Sequence, residues 1–413
     1  MKEKLFHIIH SAFIAPFQCL SLCVLYLGAF VAITGMTSMT LFMIFDFASL
    51  GMWPVMEHFI VRAFGISMVI MPLLFWLSTQ MRFVTYAAFI LVSQLVLGAA
   101  FLAVGTDSPV WLQTLLFSIS VSSYWTLFHL MMSFSVSDHN SANEICMADA
   151  GVTAGVLLGS VLGGVFLTYH LNMLAMIFSV SMMFIGTAMV IGLMARKIQR
   201  GEMHLVFFSA GESISYDTFK GQWRNMYSTA YEGAFQIVAD FLAPVWLKFM
   251  SVSAMGVGLL SAAKIGLKLL VSPVVGHFAN QGSSGDGTKN HDLEIGLGLK
   301  CLGWVPWLFM QTPFLYAFSS MFWTAGQHFF SMGLASRWYK QRSVFKLALR
   351  EFSLGAGRLA ATLVAVPLLY WSLNSYIVFS ILLSAGMMLT TKSFQGFAKR
   401  TFSGVFSAVR SVP

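Results

Sequence analysis

Long apolar segments dominate this sequence. Twelve of them can be placed, each about 18–30 residues long, which is the length that an α-helix needs to cross the hydrocarbon core of a bilayer. Their approximate bounds are 16–45, 57–79, 83–105, 109–134, 147–169, 171–195, 226–250, 254–279, 294–311, 313–336, 351–371 and 374–391. Hydrophobic residues make up 57% of the chain and charged residues 10%, which excludes an ordinary soluble globular protein. We therefore predict an all-α integral membrane protein with twelve transmembrane helices.

A polar segment at 196–224 separates the first six apolar segments from the last six. It has little apolar periodicity, and its basic residues are Arg196, Lys197, Arg200, Lys220 and Arg224. We interpret it as a cytoplasmic connector between two bundles. The predicted organisation is an N-terminal six-helix bundle over 1–195, the connector over 196–224, a C-terminal six-helix bundle over 225–391 and a basic cytoplasmic tail over 392–413.

The basic residues also predict the orientation of the helices. Eighteen of the 24 Lys and Arg residues fall in loops on one side of the membrane, whereas Lys248 alone falls on the other side. Because loops rich in Lys and Arg stay in the cytoplasm, we expect both termini there, in a multi-pass protein of the bacterial inner membrane. These loops account for the net charge of +8, so we expect no nucleic-acid partner.

The seventh apolar segment carries polar residues at a helical spacing. Glu232, Gln236 and Asp240 recur every four residues and so share one helix face, with Asp240 near the middle of the span. A carboxylate at that depth costs about 2.5–3.5 kcal/mol on insertion scales, and it is tolerated mainly where it faces a polar cavity or a partner charge. This face therefore predicts the lining of a pathway through the membrane.

Three pairs of segments repeat across the two halves at nearly equal spacing. The second and eighth segments match at a spacing of 201 residues, the fourth and tenth at 198, and the fifth and eleventh at 202. The matched residues are Gly65, Pro72 and Gln80 with Gly266, Pro273 and Gln281; Tyr124 to Thr126 with Phe322 to Thr324; and Asp149, Ala154 and Gly155 with Glu351, Ala356 and Gly357. The repeats predict two six-helix halves of parallel topology.

With these features the chain resembles the major facilitator superfamily, whose members have twelve helices in two such halves around a central cavity. The stretch from Ser272 to Asn280 is similar to the family's loop motif after the eighth helix, with Pro273 and Gly276 at the motif positions and Asn280 in place of an acid. The first-half copy keeps Pro72 and one Arg but lacks the Gly and the Asp. The resemblance implies gating or packing roles for Pro72, Pro273 and Gly276.

The fifth segment carries a second motif, rich in glycine. Gly155, Gly159, Gly163 and Gly164 resemble the fifth-helix motif of the family's drug/proton antiporters, with Ser160 where Pro is usual. The same spacing also lets two helices pack closely, so packing is the alternative interpretation. An antiporter of this kind would also carry an Arg in the fourth segment, and residues 122–133 contain none. Export and uptake both stay open.

In the family the first, fourth, seventh and tenth helices line the cavity. The resemblance therefore implies a cavity that includes Tyr124, Trp125, His129, Tyr231, Gln236, Trp323, Gln327 and His328, together with residues of the first segment, Gln18, Tyr26, Thr34 and Thr37. Aromatic rings, amides and two histidines would suit a small amphipathic organic substrate. His129 and His328 could meet across the cavity, or each could be a buried histidine bonded to a neighbouring hydroxyl.

Charged residues inside the spans are candidates for proton coupling and for binding. Asp240 could carry a proton, or it could form a fixed ion pair with Lys264 or Lys268, one turn apart in the eighth segment. Glu232 is either a second coupling group or a solvated charge at the entrance. Arg358 in the eleventh segment is a candidate for an anionic substrate, or it reaches a local partner.

We therefore predict a secondary transporter that moves a small amphipathic organic solute by alternating access, with proton coupling through Asp240 and Glu232. The alternatives are an uptake carrier for a metal chelate or nutrient, and a lipid-handling or non-transporting scaffold. The sequence has no GxSxG, Walker A or HExxH motif, so we expect no enzyme activity, cofactor or metal. The expected partners are the solute, protons and the lipid bilayer, and the expected state is a monomer.

Overall fold

The computed structural model consists of helices and short connections over the residues it describes, which are 20–105, 108–135, 141–200, 216–283, 291–309 and 312–389. The first half contains α1 (Leu20–Leu50), α2 (Met52–Ile60, Val61–Ile70 and Met71–Gln80 in succession), α3 (Phe83–Val104), α4 (Val110–Ser135), α5 (Ser141–Thr168) and α6 (Asn172–Gln199). The second half contains α7 (Tyr216–Gln236, Ile237–Phe241 and Ala243–Phe249), α8 (Ala254–Ser283), α9 (His291–Trp304, then a 3-10 turn Val305–Leu308), α10 (Pro313–Tyr339), α11 (Val344–Trp371) and α12 (Leu373–Leu389).

Each of the twelve apolar segments corresponds to one of these helices, which confirms the all-α class and the twelve-helix architecture. Among the described helices, α1 to α6 and α11 are long and apolar enough to span a membrane by length and composition. The largest difference lies at the start of α7, which begins at Tyr216 although its apolar run begins near 226. The first ten residues of α7 are mostly polar, so a search for apolar segments does not detect that they are helical. The tail at 392–413 and residues 201–215 of the connector lie outside the described residues.

Glycines bring α5 against α1 at backbone distance. A Cβ placed on Gly155, Gly159 or Gly163 would lie 2.7 Å, 2.6 Å and 2.9 Å from the carbonyl oxygens of three α1 residues one turn apart, Phe30, Thr34 and Ser38. The same relation recurs in the second half, where Gly357 of α11 contacts the backbone of Ala230 in α7. Because any side chain would separate these helices, the glycine motif packs the bundle. The fourth glycine, Gly164, faces α8.

Two helices widen into π-helical turns, and in each a proline follows. Residues Val61–Ile70 of α2 precede Pro72, and residues Ile237–Phe241 of α7 precede Pro244. Proline lacks an N–H and its ring clashes with the carbonyl four residues earlier, so the helix relaxes into a wider turn. The carbonyl freed by Pro244 is that of Asp240. Pro273 and Gly276 lie within α8, but their side-chain surroundings are outside the described part of the structure.

Candidate substrate cavity

A cavity of about 390 Å³ lies between the two halves. This volume falls in the range of about 300–1,000 Å³ that is typical of small-molecule sites. Residues of α1, α2, α4 and α5 line it from the first half, and residues of α7, α8, α10 and α11 line it from the second. The four helices named by the family resemblance all contribute, and α2, α5, α8 and α11 contribute as well.

Nine of the predicted site residues line this cavity. They are Trp125, His129, Glu232, Gln236, Asp240, Lys264, Lys268, Gln327 and Arg358. Thr37 of α1 also lines it, whereas Tyr26 and Thr34 face the glycines of α5 and Gln18 lies outside the described residues. Their roles in transport stay predictions, but the structure gathers them around one space.

The structure places four of the predicted cavity residues elsewhere, in the packed interior. Tyr124 stacks on Phe128, Tyr231 contacts the ring of Phe330, and Trp323 stacks on Trp304 with the ring centroids 4.3 Å apart. The fourth, His328, is 0% exposed. Each has a sequence neighbour that does line the cavity, namely Trp125, Glu232, Thr324 and Gln327. One residue turns an α-helix by about 100°, so a correct helix can still present the wrong one of two neighbours.

Asp240 is paired with a lysine on the neighbouring helix. Lys264 Nζ donates to Asp240 Oδ1 at 2.9 Å, and Lys264 is buried. Lys268, the other lysine considered for Asp240, instead lies 2.9 Å from Asp149 Oδ2 on α5. One lysine therefore holds a carboxylate of its own half, and the other holds a carboxylate of the opposite half.

The two predicted histidines do not meet each other, because each contacts a carboxylate of the opposite half. His328 Nδ1 on α10 lies 3.2 Å from Asp149 Oδ2 on α5. His129 Nε2 on α4 lies 3.4 Å from Glu351 Oε1 on α11, and His129 Nδ1 is hydrogen-bonded to the Tyr339 hydroxyl. The imidazoles thus contribute to links between the halves. Among the described residues no group of three or more His, Cys, Asp or Glu side chains could hold a metal.

A chain of polar contacts joins Glu232 to Arg358. Gln236 Nε2 donates to Glu232 Oε1 at 3.5 Å, and Gln236 Oε1 accepts from Arg358 Nη2 at 2.6 Å and from Arg358 Nε at 3.2 Å. Arg358 Nη1 also donates to the Ser67 hydroxyl at 2.9 Å. Glu232 is 3% exposed, and its Oε2 has no hydrogen-bond partner among the described residues. An acid in that position is available for a proton or a ligand.

Several charged residues line the cavity that the sequence did not single out as site residues. They are Arg62 on α2, Asp149 on α5, and Arg350 and Glu351 on α11. The sequence had shown one sign of the two acids, because Asp149 and Glu351 are repeat equivalents at a spacing of 202 residues. Arg62 gave a weaker signal, a single charge one turn inside an apolar segment.

Comparisons with known proteins identify the fold. The human organic anion transporter MFSD10 (TETRAN) superposes with a TM-score of 0.66 at 12% identity, over 89% of this chain and 97% of that one. A nucleoside transporter, NupG, gives a TM-score of 0.60 at 14% identity, over 90% and 99%. A POT family transporter in complex with 5-aminolevulinic acid gives 0.57 at 11% identity, over 89% and 95%. No protein-family model and no curated sequence matches the chain. At these identities the similarity establishes the architecture: this chain is an integral, multi-pass membrane protein with the fold of the major facilitator superfamily.

Proposed function

We propose that the protein is a secondary transporter that moves a small amphipathic organic solute across the membrane by alternating access. The observation that carries the proposal is the cavity itself, which is lined by charged and aromatic side chains and lies between two repeated halves. Carriers of this architecture bind their solute near the bilayer midplane, and the halves then rock around it. Transporters for an organic anion and for nucleosides share the fold, which supports the same class of function here.

Contacts between the halves occur on both sides of the cavity, as a rocking mechanism requires. Near the connector, the end where α6 stops and α7 starts, Asp149, Lys268, His129 and Glu351 join the halves. At the opposite end, Lys248 Nζ donates to the Phe45 carbonyl at 2.9 Å, and the Tyr370 hydroxyl donates to the Gly51 carbonyl at 3.0 Å. Opening toward one side would break one set and keep the other.

For proton coupling we propose Glu232 as the first candidate, with Asp240 second. Asp240 already has an ammonium partner in Lys264, which favours a fixed charge. Glu232 has no ion-pair partner among the described residues, and it lines the same cavity. A buried acid without an ion-pair partner takes up a proton more readily than a paired one, and protonation of Glu232 would let the carrier change conformation without that negative charge.

The test is transport by purified protein in liposomes, with and without an imposed pH gradient, using a panel of labelled aromatic carboxylates, amides and nucleosides. We expect at least one solute to exchange across the membrane and to accumulate when protons flow inward. Glu232→Gln should keep the exchange and abolish accumulation, while Glu57→Gln, on the part of α2 outside the cavity, should change neither. Accumulation unchanged in Glu232→Gln would assign coupling elsewhere, and Asp240→Asn decides the same question for Asp240.

Direction, and the alternative of a lipid-handling scaffold, are decided by the same vesicles. An uptake carrier for a chelate or nutrient would load its solute under an inward proton gradient, whereas an exporter would use the opposite gradient. A scaffold would exchange no solute on the panel. The charged lining favours a carrier over a scaffold, because a cavity for lipid tails has no use for nine charged side chains. We further propose that the protein is a monomer. We also propose that both termini lie in the cytoplasm, and site-directed labelling of residue 196 from either side of the membrane would test this orientation.

A further inference from the structure

Two arginines from opposite halves both lie close to one aromatic ring. Arg62 Cζ on α2 lies 5.0 Å from the ring centroid of Phe241, and Arg358 Cζ on α11 lies 5.6 Å from the same centroid. All three residues line the cavity, and all three are only partly buried. The widened turn of α7 that ends at Phe241 and the widened turn of α2 that contains Arg62 bring these groups together.

Of the Lys and Arg residues that line the cavity, these two have no ion-pair partner among the described residues. Five Lys and Arg residues line the cavity, against four Asp and Glu residues. Three of the acids are already paired, Asp149 with Lys268, Asp240 with Lys264, and Glu351 with Arg350. Neither Arg62 nor Arg358 lies within ion-pair distance of a carboxylate in the part of the chain that the structure describes. Glu351 and Glu232 attract the Arg358 charge only from beyond ion-pair distance, so the two guanidinium groups face one confined space without a bound carboxylate, which suits an anion.

The neighbours of the two arginines hold them in place without cancelling their charge. Arg62 Nη1 donates to the Thr40 hydroxyl at 3.3 Å, and Arg358 donates to Gln236 and Ser67, all of them uncharged acceptors. These bonds use one of the five N–H donors of Arg62 and three of the five of Arg358. The remaining donors can reach a carboxylate, which guanidinium groups bind with paired hydrogen bonds.

The rest of the lining indicates what the anion is attached to. The same cavity presents the ring of Phe241, the indole of Trp125 and aliphatic side chains such as Ile44 and Ile66. Small inorganic anions gain nothing from such apolar walls, whereas an organic acid would bury its ring or chain against them.

We propose that Arg62 and Arg358 together bind the carboxylate of an amphipathic organic anion, with Phe241 packed against the apolar part of that anion. The proposal rests on the transport function proposed above and narrows its substrate class. Since Arg62 belongs to the first half and Arg358 to the second, an anion bound to both adds a contact between the halves. The substrate itself would then stabilise the state that encloses it.

Binding to the purified full-length protein tests this directly. The probes are benzoate, indole-3-acetate and naphthalene-1-acetate, each beside its uncharged amide, measured at pH 7.4 by calorimetry and by thermal stabilisation. We expect at least one carboxylate to bind at least tenfold more tightly than its amide. Arg62→Gln and Arg358→Gln should each reduce that preference about tenfold, Arg62→Lys should reduce it less, and Arg196→Gln, an exposed residue at the end of α6, should leave it unchanged.

The wild-type comparison decides the proposal even if a variant fails to fold. Carboxylates that bind no better than their amides, or that do not bind at all, would overturn it, as would a preference that survives both glutamine variants. Solute exchange in liposomes separates this result from the transport proposal. Carboxylates that bind but are not exchanged would keep the anion site and contradict the carrier, whereas amides exchanged without any preference for carboxylates would do the reverse.

Discussion

The two histidine–carboxylate contacts between the halves are built from the same residue types, but the two carboxylates differ in which half supplies their Lys or Arg partner. His129 of α4 contacts Glu351 of α11, and His328 of α10 contacts Asp149 of α5. Glu351 follows Asp149 by 202 residues, the spacing of their segments, so the two acids are repeat equivalents, whereas His328 follows His129 by 199 residues and lies one residue beyond the equivalent position, Gln327. A histidine of each half nevertheless contacts an acid of the other half.

The cations break this symmetry. Glu351 forms an ion pair with Arg350, its neighbour in the same helix, so its cation belongs to its own half. Asp149 forms an ion pair with Lys268 of α8, which belongs to the opposite half. Separating the halves at Glu351 costs hydrogen bonds, while separating them at Asp149 also pulls two opposite charges apart in a poorly solvated place. We infer that the Asp149–Lys268 pair is the stronger of the two links.

The largest expected effect comes from removing that pair. Asp149→Asn or Lys268→Gln leaves one partly buried charge without its partner, and each should lower the free energy of unfolding by about 3 kcal/mol. Because the two residues interact, the double variant should lose less than the sum of the single losses. Thermal unfolding followed by tryptophan fluorescence gives the stabilities, and additive losses would contradict the pairing.

The matched control is the other Asp–Lys pair. Asp240 and Lys264 lie on α7 and α8, within one half, so Asp240→Asn should destabilise the protein without separating the halves. Spin labels at residues 82 and 342, exposed turns of the first and second halves near the connector, would report that separation. The label distance should lengthen in Asp149→Asn alone, and equal lengthening in both variants would remove the special position of Asp149.

Glycine variants test whether the helix pair α1–α5 of the first half and the pair α7–α11 of the second half are equally closely packed. A Cβ on Gly159 would lie 2.6 Å from the Thr34 carbonyl of α1, and a Cβ on Gly357 would clash with the Ala230 carbonyl of α7. Gly159→Ala and Gly357→Ala should each cost about 1–3 kcal/mol, the larger loss being at Gly357. Gly192→Ala has open space around it and should be neutral or stabilising by about 0.5–1 kcal/mol. A neutral Gly357→Ala would mean that α7 and α11 are less closely packed than their counterparts.

The smallest effect is expected at His129. His129→Gln removes the contacts with Glu351 and Tyr339, and it should cost about 1 kcal/mol, the net value of a typical hydrogen bond. It should also lengthen the label distance slightly. His58→Gln is the control, because the hydrogen bond of His58, 2.9 Å from Thr114, lies within its own half. A loss at His129 as large as that at Asp149 would remove the difference between the two links.

Sequence carried the architecture because hydropathy and charge distribution are properties of whole segments. Twelve apolar segments gave twelve helices, and the repeat spacing indicated two related halves. The face formed by Glu232, Gln236 and Asp240 was also predicted, since a four-residue spacing fixes one side of a helix.

The pairing of charges was beyond reach, because it depends on how each helix is rotated and which helices are adjacent. Lys264 and Lys268 are one turn apart, yet they bind acids of different halves. Tyr124 and Trp323 were expected in the cavity and are packed behind it, one residue from side chains that do line it. The widened turns shift such registers further, and Pro72 and Pro244 were their only trace in the sequence.

The crossing of α5 and α8 has a consequence for motion. A Cβ on Gly164 would lie 3.3 Å from the Cα of Gly258, and one on Gly258 would lie 2.6 Å from the Ser160 carbonyl, so main chain meets main chain across the junction of the halves. Interlocked side chains would have to disengage before one half could swing against the other. Where two backbones touch without side chains between them, nothing has to disengage. In the proposed transport cycle this crossing can therefore act as the pivot about which the two halves rotate.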